Sequence, residues 1–251
     1  MNVPLFSVIS AVFNDKVGLE RTARSLQAQS CLDFEWIVID GGSDDGTVEF
    51  LQGCIVASQW ISEPDDGIAD AWNKGIRLAV GRFVVILNAG DTFDPDYLET
   101  MRQSAVENRI TCCAVRLANS SGSLVGKMVA EPGKLWRGMH VPHNWCVVPR
   151  HLYSQFGGYP KRRFAMDFAW FHRYFQEFGV EGFIVIPRVL GTYHLGGVSD
   201  SGFRKSFAEV EQILRENGMS RFKARCLRIG YTIKHGIALR LRSHFADRKL
   251  L

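Results

Sequence analysis

Apolar positions along this chain follow two alternating rhythms. Short, mostly apolar stretches lie at residues 7–13, 35–40, 59–62 and 83–87, the last unbroken, and each reads as a strand. Between them the spacing changes to one apolar position every three or four residues. Residues 17–29 repeat through Val17, Leu19, Ala23 and Leu26, and residues 68–79 through Ala71, Trp72, Ile76 and Ala79. That is the spacing of one helix face. Residues 47–51 predict a short helix, and residues 96–108, with Pro95 near their start, a longer one. This βαβαβαβ order predicts an α/β fold, its sheet largely parallel and Rossmann-like, with helices on both faces.

The second half is less regular. Residues 111–117, 146–148 and 182–186 read as strands, and residues 152–156 and 166–178 as helices. Ser120-Ser121-Gly122 marks a turn. Cys112 and Cys113 would point to opposite faces of their strand. No repeat or clear linker divides the chain, so the halves are expected to pack as one unit.

Near the carboxyl end, positions 222, 226, 229, 233, 237, 241 and 245 form an apolar stripe on a helix, flanked by Arg221, Arg225, Arg228, Lys234, Arg240 and Arg242. Such a stretch fits a membrane interface. It fits equally a terminal helix packed on the body with a solvated charged back.

Composition narrows the class. With 46% apolar and 22% charged residues among 251, the chain has the makings of a globular protein with a sizeable core. The net charge is only +4, but residues 220–251 hold nine Lys or Arg against one acid, Asp247. The rest is therefore mildly acidic, and the tail is expected to meet an anionic surface, a membrane and not nucleic acid. No segment has the roughly 18 apolar residues of a membrane span. Residues 3–13 lack a basic leader, and Asn14 and Asp15 follow directly, so they read as a first strand and not a signal peptide. The six cysteines lack CxxC pairing and are expected to be reduced cytosolic thiols.

The chemistry gathers at strand exits. Asn14 and Asp15 follow the first strand, Asp40 ends the second, Glu63-Pro64-Asp65-Asp66-Gly67 follows the third, and Asp91 follows the fourth through Asn88-Ala89-Gly90. Open α/β sheets bind ligands at that edge. A lone acid there suits a divalent cation that holds a diphosphate. Asp40 is a candidate to accept a nucleobase N–H, and Asp65 one from base or ribose. Asn73 and Lys74 lie on the next helix, where Lys74 is a candidate phosphate partner. Asp44 or Asp45 is expected to cap a helix. The dinucleotide fingerprint Gly-x-Gly-x-x-Gly, the phosphate loop and His-Glu-x-x-His are all absent.

Several of these stretches resemble hallmarks of family 2 glycosyltransferases. They are residues 62–76 (Ser-Glu-Pro-Asp-Asp-Gly-Ile-Ala-Asp-Ala-Trp-Asn-Lys-Gly-Ile), residues 39–47 around Asp40-Gly41-Gly42-Ser43, and the run Leu87-Asn88-Ala89-Gly90-Asp91. That run looks like the family's metal-binding Asp-x-Asp, with Asn88 replacing its first acid. Residues 193–199 are similar to its Gly-Gly-x-Ser element. The likeness covers roughly residues 5–200, and within the family it runs toward bacterial exopolysaccharide transferases of the colanic-acid type.

The resemblance implies a GT-A fold, a nucleotide-sugar donor, a Mn²⁺ or Mg²⁺ ion and inversion at the anomeric carbon. It implies a donor half at residues 1–110, an acceptor and catalytic half at 111–217, and a basic amphipathic helical tail at 218–251. It matches the general base to Asp167 in Ala165-Met166-Asp167-Phe168, because an acceptor hydroxyl needs a proton acceptor as its C–O bond forms. It matches His143 to an acceptor-side histidine, with Asn144 standing where glutamine is frequent, and offers His194 as a further metal ligand. Trp136, Trp145 and Trp170 are candidates for sugar stacking, against the commoner fate of core packing. The expected acceptor is a lipid-linked oligosaccharide at the cytoplasmic membrane face. A nucleotide-sugar sensor or scaffold on the same fold is the rival reading.

Overall fold

A computed structural model describes residues 3–196 and 202–247, with side chains described as far as residue 236. The first half alternates strands β1 (Phe6–Val12), β2 (Phe34–Asp40), β3 (Gln59–Ser62) and β4 (Phe83–Ile86) with helices α1 (Lys16–Gln27), α2 (Thr47–Gln52) and α3 (Ile68–Leu78). Strand β5 (Thr92–Phe93) and helix α4 (Tyr97–Ser104) follow. The second half contributes β6 (Ile110–Ala118), β7 (Leu124–Met128), β8 (Cys146–Pro149), α5 (Arg150–Phe156), α6 (Met166–Phe178) and β9 (Phe183–His194). Helices α7 (Phe203–Glu216) and α8 (Arg221–Asp247) close the described chain.

All the strands join one sheet, ordered β3-β2-β1-β4-β8-β6-β9-β5, with β7 on the side of β6. The four strands β3-β2-β1-β4 are parallel, as the alternating strand and helix order predicts. Strand β8 enters antiparallel to both β4 and β6 and so splices the two halves into one sheet, while β6 and β9 pair in parallel.

Alternation sorts neighbouring residues onto opposite faces. Ile9, Ile37, Val84 and Cys112 pack beneath α3, α5 and α6 through Trp72, Tyr153 and Trp170. Val8, Val38, Val85 and Cys113 pack beneath α1 and α4 through Leu19, Leu26, Tyr97 and Met101. Helices therefore cover both faces. A smaller cluster of Ala165, Phe168, Ile213, Leu214 and Ala224 fastens α7 and α8 to α6.

Two elements exceed what the pattern predicts. Strand β9 runs to His194, well beyond the apolar run at 182–186, because Pro187 sits where the β6–β9 register shifts and no ladder N–H is required. Past that bulge Gly191 passes close under Trp145, where an added Cβ would lie 2.1 Å from the indole nitrogen. Helix α7 carries Phe207, Val210, Ile213 and Leu214 at helical spacing, but three acids and three bases dilute the signal.

Candidate active site

The parallel register brings the predicted strand exits to one edge. Val12 pairs Asp40 and Asp40 pairs Ser62, so the loops after β1, β2 and β3 leave side by side. The loop after β4 joins them: Ala89 donates its N–H to the Ala11 carbonyl at 3.2 Å.

Asp40 is wholly buried and accepts from the Ser43 N–H at 3.0 Å, from the Ser62 hydroxyl at 2.6 Å and from the Ser43 hydroxyl. Two of these donors fall on Oδ2 and one on Oδ1, which leaves an acceptor site on Oδ1. The bonds to Ser43 shape the 41–47 loop. Asn14, in the left-handed region at φ 50°, ties the first exit to that loop by accepting from the Asp44 N–H at 2.9 Å and donating its own N–H to Ser43 at 2.8 Å. Asp45 takes the Lys16 N–H at 2.8 Å and the Thr47 hydroxyl at 2.5 Å, the Thr47 bond chiefly lowering its pKa, while the N-cap of α2 is Gly46, without a side-chain cap bond, and Asp15 caps α1.

Asp65 lies over Gly41, where an added Cβ would stand 3.1 Å from its Oδ2, and its Oδ1 accepts the Gly67 N–H at 2.8 Å. Asn73 and Lys74 are already engaged by protein. The Asn73 carboxamide clamps the Tyr159 backbone at both ends, accepting its N–H at 2.8 Å and donating to its carbonyl at 2.9 Å. The Lys74 ammonium sits 2.7 Å from Glu63 and 3.3 Å from Asp70, and the Glu63 bond is the main reason its pKa is raised.

Asp91 is 3% exposed, at the end of a loop that Gly90 turns at φ 92°. Its Oδ2 accepts from Asn144 Nδ2 at 2.6 Å and its Oδ1 from the His194 N–H at 3.1 Å, while its carbonyl accepts from the Thr22 hydroxyl at 2.8 Å. Burial outweighs these donors and pushes its pKa up to about 7. Nearby, His194 Nδ1 is buried without a hydrogen-bond partner among the described residues, and its pKa is lowered by burial and by the Arg21 charge. Arg21 on α1 acts on Asp91 as well, favouring its ionised form.

Among the described residues no group of three His, Cys, Asp or Glu gathers to cage a metal. One carboxylate and one unpartnered imidazole nitrogen nevertheless fit a cation that takes its other ligands from diphosphate and water. Asn88 is held by Trp72, whose Nε1 donates to its Oδ1 at 2.9 Å.

A buried relay runs from Asp91 toward the second half. Asn144 Oδ1 lies 3.1 Å from His143 Nδ1, His143 Nε2 lies 2.7 Å from the Tyr159 hydroxyl, and Tyr159 meets the Tyr153 hydroxyl at 2.9 Å. Burial drops the His143 pKa to about 3, so the ring is neutral. It therefore donates from one nitrogen, to Asn144, and accepts at the other, from Tyr159. With both nitrogens used and 8% exposure, His143 supports the wall by packing on Trp72 at 4.8 Å, and offers no free ring nitrogen to an acceptor.

Asp167 stands in the first turn of α6, half-buried, and its charge reaches the Tyr159 hydroxyl. Burial raises its pKa to about 6, with Glu209 adding to the rise. Glu209 projects from α7 onto the segment just ahead of Asp167. Its carboxylate accepts the N–H groups of Phe164 and Ala165 at 3.0 Å each, and that of Arg163 at 3.4 Å.

Sequence reasoning missed Arg21, Tyr159 and Glu209 as members of the site, and noted Asn144 only as standing where glutamine is frequent, without its bridging carboxamide. None carries a motif signal; each acts through a contact 45 or more positions away or through unpaired charge. Of the three tryptophans, Trp145 and Trp170 are core residues and only Trp136 is exposed. In the Gly-Gly-x-Ser element, positions 197–199 lie outside the described residues.

The fold is shared with solved glycosyltransferase structures. The Staphylococcus aureus TarS fragment 1–349 in complex with UDP-GlcNAc superposes with a TM-score of 0.64 at 14% identity, over 92% of this chain and 71% of that one. The Pyrobaculum calidifontis mannosyltransferase in complex with GDP-Man and Mn²⁺ gives 0.62 at 17% identity, over 100% and 82%. In sequence, an uncharacterised glycosyltransferase of Mycobacterium tuberculosis is 46% identical over 98 residues, 38% of this chain and 37% of its own length. A PGL/p-HBAD biosynthesis glycosyltransferase of Mycobacterium bovis is 33% identical over 96 residues, 37% and 38% of the two chains. The chain thus aligns with well under half the length of these curated relatives. The family model described as "Glycosyl transferase family 2" spans residues 7–178, from β1 through α6 and so across the exits of β1 to β4 and Asp167, and the chain belongs to that family.

Proposed function

We propose that the protein is an inverting, metal-dependent glycosyltransferase. It moves a sugar from a UDP- or GDP-linked donor to a lipid-linked oligosaccharide of a growing surface polysaccharide, working peripherally on the cytoplasmic membrane's inner face. What supports the reading is the buried hydrogen-bonded relay from Asp91 through Asn144 and His143 to Tyr159, a hydroxyl on which the charge of Asp167 acts. A pyrophosphate end and a proton-accepting end thus flank one buried wall. No described helix is long and apolar enough to cross a membrane, which accords with peripheral attachment.

In this reading the nucleoside lies along the loops shaped by Asn14 and Asp40, with Asp65 facing base or ribose. Asn73 and Lys74 contribute by bracing that wall, Asn73 through Tyr159 and Lys74 through Glu63. Asp91 and His194 would hold Mn²⁺ or Mg²⁺, which when bound supplies charge for the departing diphosphate. Arg21 forms no ion pair among the described residues, and its guanidinium adds positive charge at the same end.

Asp167 takes the proton of the acceptor hydroxyl. The acceptor's hydroxyl oxygen bonds to the anomeric carbon from the face opposite the diphosphate, and the bond to the diphosphate breaks, which inverts the centre. A carboxylate with a pKa near 6 is ionised at neutral pH yet basic enough to accept that proton.

Thermal stabilisation by a panel of nucleotide sugars with Mn²⁺, followed by transfer assays on Asp167→Asn, tests the proposal. The variant is expected to keep the donor-induced shift and lose transfer by about 10²–10⁴-fold. Turnover retained in Asp167→Asn would remove Asp167 from the mechanism. Donor binding without transfer or hydrolysis by the wild type would favour a sensor or scaffold.

A further inference from the structure

Helix α8 lies on the body with the wrong face for a simple terminal helix. Ala224 is fully buried against α6 and α7, Tyr231 reaches the His140 ring nitrogen at 3.0 Å, and His235 packs on Phe203 at 4.5 Å. At 100° per residue these three positions share one side of the helix. The apolar stripe is on the opposite side and points away from the protein. Phe222 is 81% exposed, Ile229 47% and Ile233 58%, with Cys226 exposed between them. The stripe extends about 17 Å, at ~1.5 Å per residue.

Its borders are basic on both sides. Arg221 and Arg225 line one flank, Lys223 and Lys234 the other, and all four are exposed. Lys223 also places its ammonium 4.8 Å from the ring centre of Trp136, a half-exposed aromatic beside the helix. In sequence, Leu241 and Phe245 with Arg240 and Arg242 continue the same spacing.

We propose that this outward face of α8 is a membrane-docking surface: the Phe222–Ile233 stripe enters the boundary between headgroups and acyl chains, and the flanking Arg and Lys residues bind anionic lipid. The inference deepens the reading of a membrane-bound acceptor and rests on it for its purpose, although the geometry of α8 is independent of Asp91 and Asp167. A helix lying in an interface needs an apolar stripe bordered by cations, at the depth where acyl chains give way to phosphates. A second copy of the chain is a poorer occupant. Pairing stripe against stripe would bring Arg and Lys flanks together without intervening acids, the described flanks holding none.

The test is flotation of the full chain with vesicles of phosphatidylcholine alone or enriched in phosphatidylglycerol, over a salt series. Binding to the anionic vesicles, weakened by salt, is expected. The Phe222→Ser/Ile229→Ser/Ile233→Ser variant should lose at least about ten-fold in partitioning. Arg221→Gln/Arg225→Gln/Lys234→Gln should lose about five-fold per charge and much of its salt dependence. Both variants should keep the wild-type melting temperature and donor-induced thermal shift, which separates a failure of docking from a failure of the site. Absence of wild-type binding, or equal binding by either variant, would overturn the proposal. So would a concentration-dependent dimer in light scattering that the serine variant abolishes, which would assign the stripe to a second copy.

Discussion

Asn144 donates to Asp91 at 2.6 Å while its carbonyl oxygen faces the His143 ring at 3.1 Å, so one carboxamide joins a strand-exit acid to a neutral buried histidine. Its orientation follows from its neighbours. Asp91 needs a donor, and His143 in its single-proton form has a donor left for an oxygen. Three segments distant in sequence meet here: the β4 exit, the segment preceding β8, and the end of β9, whose His194 N–H supplies the other Asp91 bond.

Removing this carboxamide should be costly. Asn144→Ala leaves Asp91 Oδ2 and His143 Nδ1 without partners in a buried setting, and about 1–3 kcal/mol of stability is expected to be lost. Urea unfolding midpoints measure it. A change under a few tenths of a kcal/mol would mean that water replaces the bond at no cost.

The elevated Asp167 pKa gives the pH dependence of transfer a definite sign. Ionised Asp167 is the active form, and it is depleted as pH falls through about 6. The kcat/KM for transfer should therefore fall about ten-fold per unit below that point. Rates that stay flat down to pH 5 would assign proton acceptance elsewhere.

The sequence made the donor half readable because its chemistry is local. Short, mostly apolar runs define β1, β2 and β4, and the acids stand within a few residues of each exit, so parallel pairing alone aligns Asp40 with Ser62 and Val12. The second half was less readable because its contacts are long-range. Strand β8 is four residues long, and nothing in its composition announces that it pairs antiparallel with both β4 and β6. Side-chain duties were harder still. Asn73 sits in a motif that suggests a ligand contact, yet its partner is the Tyr159 backbone, 86 positions away. The tail's spacing announced an apolar stripe, but only the packing of Ala224, Tyr231 and His235 decides which way the stripe faces.

Asp91 should make stability fall as pH rises. Its folded pKa of about 7 stands above the ordinary aspartate value, so the folded state binds more protons than the unfolded one across the interval between them. Its contribution is full below pH 4 and is lost as pH climbs through 7. Without metal, melting temperatures should decline between pH 5 and 8 by more than in Asp91→Asn. Adding Mn²⁺ with UDP or GDP should reverse the decline, because a cation favours the ionised carboxylate, and a chelator should restore it. A pH-independent difference between the two proteins would show that Asp91 does not titrate there.

Arg21 is expected to act on the diphosphate end without shaping the fold. Its charge reaches Asp91 and His194, and it forms no ion pair among the described residues. Arg21→Ala should raise the donor KM about ten-fold, an effect on the order of 1–2 kcal/mol for one charge-assisted contact. The melting temperature of the ligand-free protein should hardly move. A loss confined to folding stability, with donor affinity intact, would remove Arg21 from the binding end.

Glu209 offers the sharpest separation of positioning from packing. It lies beyond residues 7–178, the span of the family model, yet holds three N–H groups ahead of Asp167 and helps to raise its pKa. Glu209→Gln keeps a carbonyl oxygen for the Phe164 and Ala165 N–H groups, gives up the longer Arg163 bond and deletes the charge. The Asp167 pKa should then drop and the acid limb of the transfer profile move to lower pH, with the rate at pH 8 reduced only modestly. Glu209→Ala removes the acceptor as well, and should lower the rate at every pH about ten-fold or more through misplacement of the carboxylate. If Glu209 merely fastens α7 to α6, both variants would lose melting temperature and leave the acid limb where it stands.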